Sequence, residues 1–184
     1  MLIPVYILLI KLINYNCGEL WIFCTFTLSN NSLRKVDHFI GNIDAKVDVK
    51  GRVFVPATFR KILQSTEDTR LVLRKDIYEN CLVLYPGNVW EEELALLRSK
   101  LKKYGREQRQ IYRKFIQDSE LLELDSNGRI LIPKRYLQIA GISSDVRFMG
   151  VDHTIEIWNP GQLDHPVMDD KMFEETMDQI LGSL

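Results

Sequence analysis

The segment Asp48–Leu63 has the sequence DVKGRVFVPATFRKIL, and a second segment, Asp125–Ala140, has the sequence DSNGRILIPKRYLQIA. The second segment follows the first at an offset of 77 residues, without a gap. Asp, Gly, Arg, Pro and one Ile coincide, and four further pairs exchange one apolar or aromatic residue for a similar one. Chance rarely produces such agreement within one chain, so we interpret the two segments as copies of one structural unit.

Each copy predicts a turn, a strand and a short helix. Asp48 and Gly51 predict the turn, because Asp bonds the backbone two residues on and Gly supplies a positive φ. The apolar triplets that follow, VFV in the first copy and ILI in the second, predict a short buried strand. Pro56 then ends the strand and suits the first turn of a helix with apolar residues at helical spacing. The corresponding residues of the second copy are Asp125, Gly128 and Pro133.

These motifs resemble the two repeats of the MraZ family, which are bacterial transcription regulators of the division and cell-wall gene cluster built from AbrB-like domains. The stretches CLVLYPGNVWEEEL and IEIWNPGQLD are similar to the strand that closes each repeat, and the resemblance covers about residues 36 to 165. It implies an α+β, mainly β fold. In that fold two tandem AbrB-like swapped-hairpin β-barrel repeats are joined by a helical connector and related as a pseudo-twofold pair.

The domain organisation is expected to follow the repeat. A first repeat, a helical connector, a second repeat and an acidic helical tail are predicted at 36–86, 87–117, 118–161 and 162–184. At the start of the connector, Asn88 followed by Glu91 predicts a capping box. Residues 1–35 differ in composition from the rest, and we interpret them as a non-native extension ahead of a start at Val36. A membrane anchor is the alternative interpretation of this segment.

Composition sets limits on the function. The net charge is −1, with 46% hydrophobic and 27% charged residues, which argues against wholesale disorder. Three cysteines without paired spacing suit a reducing compartment, and Cys81 is expected to be buried before a strand. We therefore expect a cytoplasmic protein, and the family resemblance implies that it is nucleoid-associated. The near-neutral charge does not by itself indicate a nucleic-acid binder.

No catalytic or metal-binding pattern is apparent in the sequence. His38, His153 and His165 lie in different segments, and His153 is most simply a turn residue. We find no Cys–His pairing, metal-ligand spacing, phosphate-binding loop or dinucleotide motif. The expectation is a protein that is not an enzyme, with no metal, no cofactor, no small-molecule substrate and no membrane partner.

Basic residues surround both turns and make them candidates for DNA binding. They are Lys46, Lys50, Arg52 and Arg60 at the first turn, and Arg129, Lys134 and Arg135 at the second. An Arg held at the end of a rigid turn can grip a guanine edge or a phosphate. The alternative is that Asp48–Arg52 and Asp125–Arg129 are internal salt bridges. The family resemblance implies that this Asp-x-x-x-Arg motif forms the DNA-binding loop. Because Lys50 is replaced by Asn127 in the second copy, the second loop is expected to bind more weakly.

The connector is the most basic segment and admits two interpretations. Its Lys and Arg residues indicate either a solvated helical face or a surface that contacts phosphates. Together with the basic turns, the family resemblance implies a sequence-specific DNA-binding transcription regulator of the division and cell-wall gene cluster, including its own promoter. A ring homo-oligomer is expected to bind direct-repeat boxes in double-stranded DNA, spaced by roughly 10 bp. The alternative is an AbrB-like protein-interaction or antitoxin-type scaffold with an acidic docking tail.

Overall fold

The computed structural model describes residues 38–65, 68–101, 105–163 and 168–182. Within these ranges the chain forms eight strands. In chain order they are β1 (Phe39–Lys46), β2 (Arg52–Phe54), β3 (Leu71–Lys75), β4 (Leu82–Pro86), β5 (Ser119–Leu122), β6 (Arg129–Leu131), β7 (Asp145–Asp152) and β8 (Thr154–Trp158). The expected extension over residues 1–35 lies outside the described residues.

Six helices accompany the strands in the described part of the chain. They are α1 (Ala57–Ser65), α2 (Gly87–Lys100), α3 (Arg106–Gln117), α4 (Lys134–Ile139), α5 (Pro160–Leu163) and α6 (Asp170–Leu181). The protein is therefore mixed α and β with an antiparallel sheet. The predicted α+β class is confirmed, and the long helices α2, α3 and α6 lie in the segments predicted to be the helical connector and the helical tail.

Six strands form one sheet in the order β1-β7-β8-β4-β3-β5. The first strand of the first copy, β1, pairs with β7 of the second copy, with Phe39 opposite Asp152 and Lys46 opposite Asp145. In the same manner β5 of the second copy pairs with β3 of the first, with Leu71 opposite Leu122. Each copy thus contributes a strand to the hairpin of the other.

The remaining strands, β2 and β6, form a short antiparallel ribbon with Val53 opposite Ile130. Val53 and Ile130 are buried, whereas Phe54 and Leu131 are 57% and 53% exposed. The prediction of a short buried strand is therefore wrong for the middle residue of each triplet. Side chains alternate across a strand, so one face of each triplet must point away from the core.

The main hydrophobic core lies between the large sheet, the ribbon and the two short helices that follow the ribbon. Phe59 of α1 and Tyr136 of α4 are buried in it, as are Phe148 and Ile155 of the β7–β8 hairpin. The rings of Phe39 and Phe59 meet edge to face with centroids 5.7 Å apart. Because these residues come from both copies, neither copy buries its apolar face alone.

The connector helix α2 packs on the sheet through Trp90 and Leu94, which contact Val72. The predicted capping box at Asn88 is wrong. The helix begins at Gly87, its N-cap is Pro86, and no side chain caps it. Instead, the Asn88 side-chain oxygen is buried without a hydrogen-bond partner among the described residues.

The predicted tail helix is present as α6. Asp169 caps it, because its side chain accepts a hydrogen bond of 2.7 Å from the backbone N–H of Met172. Apolar residues of α6 remain exposed, among them Phe173 at 57% and Ile180 at 57%. No helix in the described ranges is both long and apolar enough to cross a membrane.

Candidate nucleic-acid interface

The first turn is organised by the carboxylate of Asp48. Its Oδ1 accepts hydrogen bonds of 2.9 Å from the backbone N–H groups of both Lys50 and Arg52. The N–H of Gly51 donates to the Asp48 carbonyl oxygen at 2.9 Å. Gly51 has φ +90° and is buried, so the turn needs a residue without a side chain at this position.

The second turn repeats this geometry. Oδ1 of Asp125 accepts from the N–H groups of Asn127 and Arg129, each at 2.9 Å, and Gly128 has φ +79°. The two turns are also bonded to the ribbon in a symmetric manner. Ile132 donates to the Gly51 carbonyl at 2.9 Å and its counterpart Val55 donates to the Gly128 carbonyl at 3.1 Å.

Each turn closes on an arginine–aspartate ion pair. Arg52 places Nε at 2.7 Å and Nη2 at 2.6 Å from Asp48 Oδ2. Arg129 likewise places Nε at 2.9 Å and Nη2 at 2.8 Å from Asp125 Oδ2. The internal salt bridges weighed as the structural alternative are thus present. Nη1 of each guanidinium has no hydrogen-bond partner in the ranges that the structure describes, so one edge of each arginine can bind a ligand.

Hydrogen bonding to Arg52 strongly favours the charged form of Asp48. The backbone N–H of Arg52, and then its side chain, lower the pKa of Asp48 from 3.8 to about 2. The pKa of Asp125 is lowered as well, chiefly by the backbone N–H of Arg129. Both carboxylates are therefore ionised at neutral pH, which favours the ion pairs that orient the two arginines.

The outer face of the β2–β6 ribbon carries two arginines and two apolar residues, which are Arg52, Phe54, Arg129 and Leu131. Arg52 lies opposite Leu131 and Arg129 opposite Phe54, so the arginines stand at the two ends of the ribbon. The Arg129 guanidinium is 5.6 Å from the centroid of the Phe54 ring. The sequence-based list of site residues omitted Phe54 and Leu131. The two-residue period of a strand could have assigned them to the same face as the arginines.

The other predicted basic residues are distributed around this ribbon. Lys50 is exposed within the first turn, and Lys46 at the end of β1 lies 3.9 Å from Asp145. Lys134 is exposed at the start of α4. Arg60, which the sequence placed beside the first turn, reaches the second instead, where its Nη1 donates to the Asn127 carbonyl at 3.2 Å. Arg60 therefore connects the helix of one copy to the turn of the other.

A second basic surface lies on the connector, apart from the ribbon. A cleft of about 930 Å³ between α2 and α3 is lined by Arg98, Arg109 and Arg113 together with apolar side chains. Within the described residues α3 buries no side chain, and Ile111 and Ile116 are 54% and 40% exposed. Lys102 and Lys103 fall outside the described residues.

Comparison with known proteins gives the same repeat. A family model described as "MraZ protein, putative antitoxin-like" matches residues 39–114 and 115–165. The chain belongs to the MraZ family. A transcriptional regulator MraZ of Bacteroides fragilis is 52% identical over 143 residues, covering 78% of this chain and 90% of that protein. Transcriptional regulators MraZ of Bacteroides thetaiotaomicron and Phocaeicola vulgatus are each 50% identical, over 144 and 145 residues. The resemblance drawn from the repeat motifs is confirmed, and these relatives are named as regulators rather than as enzymes.

Proposed function

We propose that this protein is a sequence-specific DNA-binding transcription regulator whose two Asp-x-x-Gly-Arg turns contact the DNA. The observation that carries the proposal is the exposed face of the β2–β6 ribbon. It presents Arg52 and Arg129 at its two ends, each fixed by an aspartate of its own turn. A two-stranded antiparallel ribbon fits the major groove of B-form DNA, where arginine binds guanine O6 and N7.

The ion pairs are compatible with this role. An arginine that is bonded to Asp48 or Asp125 through Nε and Nη2 keeps its plane and direction, while Nη1 remains for a base or a phosphate. Neutralisation by the aspartate reduces the net positive charge of each turn. Long-range attraction to DNA therefore has to come from Lys46, Lys50, Arg60 and Lys134 around the ribbon.

The fold that we propose is a pseudo-twofold pair of AbrB-like swapped-hairpin repeats closing into a barrel, with the parts 36–86, 87–117, 118–161 and 162–184. The exchange of β1 and β5 between the hairpins of the two copies supports it. So do the matched backbone bonds from Ile132 to Gly51 and from Val55 to Gly128.

We further propose that the protein acts as a ring homo-oligomer on direct-repeat boxes, with the division and cell-wall gene cluster and its own promoter as targets. A single short ribbon offers few contacts, so several copies on one surface would gain affinity through effective concentration. The exposed apolar residues of α3 and α6 are available for contacts between copies. A nucleoid-associated cytoplasmic location, without cofactor or small-molecule substrate, accompanies this function.

The test compares Arg52→Ala with Arg106→Ala in binding to the DNA upstream of the protein's own gene. Arg106 is the matched control because it is an exposed arginine of the connector. Loss of a hydrogen bond from a charged group costs about 1.5–3 kcal/mol, so Arg52→Ala should weaken specific binding by roughly tenfold or more. Arg106→Ala should at most weaken binding to all DNA sequences equally. The slope of log K against log salt should then fall by about one ion.

Folding has to be monitored because Arg52 is also part of its turn. Both variants should remain folded and keep the oligomeric mass, and Arg52→Lys should retain charge but not the affinity. Unchanged promoter binding by Arg52→Ala, with loss in Arg106→Ala, would assign DNA binding to the connector instead.

A second candidate function is a protein-interaction or antitoxin-type scaffold. The "antitoxin-like" description of the family model and the exposed apolar side of α3 favour it. Ile111→Asp would then abolish partner binding while Arg52→Ala would leave it intact. The DNA-binding proposal instead requires Arg52→Ala to weaken promoter binding at unchanged oligomeric mass, and Ile111→Asp to weaken it only as far as it reduces that mass.

A further inference from the structure

Two histidines and one aspartate lie close together at one end of the large sheet, where β1 begins. Asp152 and His153 form the tight connection between β7 and β8, in which Val151 pairs with Thr154. In the neighbouring pair, Phe39 of β1 lies opposite Asp152. The residue before it, His38, is therefore brought to the β7–β8 turn by backbone pairing, although 114 residues separate it from Asp152.

The side chains converge on the Asp152 carboxylate. His38 Nδ1 contacts Asp152 Oδ1, and His153 Nε2 lies 3.3 Å from Asp152 Oδ2. The two imidazole rings stack with centroids 5.2 Å apart and planes inclined by 27°. One ligand atom from each of the three residues can be chosen so that all lie within 4.8 Å of one another.

The backbone at this corner is unusual as well. Asp152 has φ +56°, and it is the only non-glycine residue with positive φ in the described ranges. Asp tolerates this left-handed region better than most residues. The positive φ suits the tight connection between β7 and β8, at which the Asp152 carboxylate contacts both histidines.

We propose that His38, Asp152 and His153 bind one first-row divalent metal ion of the Zn²⁺ class. Two imidazole nitrogens and a carboxylate oxygen form a ligand set that suits Zn²⁺, and its neighbours in the transition series, better than Mg²⁺ or Ca²⁺. Zinc binds such ligands at about 2.0–2.2 Å in a tetrahedron, so small side-chain rotations would bring the three atoms around one ion. The side chains of His38 and Asp152 are 49% and 61% exposed, which leaves the fourth position to water.

Binding would have a structural consequence that is independent of DNA. The ion would join β1 of the first copy to the β7–β8 hairpin of the second, and so reinforce the exchange of strands between copies. A ligand that binds only the folded state raises its stability by mass action. The opposite end of the sheet has a longer β3–β4 connection, DIYENC, without histidine, so the same site is not repeated there.

The experiment uses the untagged full chain, freed of metal with a chelator. Co²⁺ is titrated and followed by its visible absorption, Zn²⁺ is then added in competition, and the melting temperature is measured with and without Zn²⁺. The variants are His38→Ala, His153→Ala and Asp152→Asn, the last of which keeps a residue suited to the left-handed backbone. His165→Ala is the matched control because His165 is the third of three histidines in the chain.

The wild type and His165→Ala should bind one Co²⁺ per chain, lose it to Zn²⁺, and melt at a higher temperature with Zn²⁺. Substitution of a residue that merely supports a metal ligand typically weakens metal binding by about 10–100-fold, so loss of a ligand itself should weaken it by at least about tenfold. Arg52→Ala should bind the metal like the wild type, which separates this site from the DNA-binding proposal. The inference is overturned if the wild type binds no Co²⁺ at one equivalent. It is also overturned if His38→Ala and His153→Ala bind Co²⁺ as tightly as His165→Ala.

Discussion

Arg52 donates hydrogen bonds to the Asp48 carboxylate from both its backbone and its side chain. The Arg52 N–H donates to Asp48 Oδ1 at 2.9 Å, and its Nε donates to Oδ2 at 2.7 Å. The same carboxylate therefore fixes the start of β2 and the direction of the guanidinium. A substitution of Asp48 therefore changes both the turn and the orientation of the arginine that we propose to contact DNA.

The first prediction concerns the stability of the folded protein at acidic pH. Because the pKa of Asp48 is about 2 in the folded protein against an ordinary 3.8, ionised Asp48 stabilises the fold fully above about pH 4. That stabilisation is lost as the pH falls from about 4 towards 2. Thermal melts across this range should show falling stability in the wild type and a smaller fall in Asp48→Asn. Parallel curves for the two proteins would show that Asp48 is not involved.

The second prediction concerns the glycine of the first turn. A Cβ at Gly51 would lie 2.5 Å from the Ile132 carbonyl oxygen, and φ there is +90°. Gly51→Ala should therefore destabilise the protein by about 1–3 kcal/mol in urea denaturation. Gly161→Ala is the control, because its nearest contact is Asn159 Oδ1 at 3.6 Å and its φ is not positive. A change within about 0.5 kcal/mol is expected for the control. Equal losses in both variants would contradict the explanation.

Local features of the fold were predictable from the sequence, whereas contacts between distant segments were not. The alignment of the two copies predicted the turns, the short strands and the helices after Pro56 and Pro133, because turn chemistry and apolar spacing act over a few residues. The exposure of Phe54 depends on which face of the ribbon meets the core, and an all-apolar triplet does not contain that information. The Asn88 capping box fails because α2 begins at Gly87, which places Asn88 inside the helix rather than at its N-cap.

The candidate sites also differ in whether they could be predicted from the sequence. Arg52 and Arg129 could be selected from the repeat, since each belongs to a turn motif within the sequence. The cluster of His38 with Asp152 and His153 could not be selected, because it depends on the register between β1 and β7. Sequence spacing reveals a metal site only when the ligands lie on one element or in one loop.

The third prediction concerns the free cysteine of the core. Cys81 is buried, and burial, followed by the nearby charge of Glu156, raises the pKa of its thiol. Since the thiolate is the reactive species, Cys81 should react slowly with iodoacetamide in the native protein and rapidly in urea. Peptide-resolved mass spectrometry distinguishes Cys81 from Cys17 and Cys24. Native labelling of Cys81 as fast as that in urea would show that the core around it is open.

The fourth prediction tests the difference between the two turns. Lys50 of the first turn corresponds to Asn127 of the second, and both are exposed. Only the backbone of Asn127 takes part in the turn, through its N–H to Asp125 and its carbonyl from Arg60. Asn127→Lys should therefore keep the turn and add one cation to the side that we propose to face the DNA. Binding to the promoter should tighten, and the slope of log K against log salt should steepen by about 0.9 for each added phosphate contact.

Asn127→Gln is the matched control for this prediction, because it lengthens the side chain without adding charge. It should bind DNA like the wild type at every salt concentration.

The double variant that combines Asn127→Lys with Arg129→Ala tests whether Arg129 itself contacts the DNA. If the second turn contacts DNA through its arginine, the added lysine should recover only the salt-dependent, sequence-independent part of the affinity, because a lysine acts on phosphate as a mobile point charge. Full recovery of sequence-specific binding would mean that Arg129 serves only to hold the turn. An unchanged salt slope in Asn127→Lys would mean that the second turn does not face the DNA.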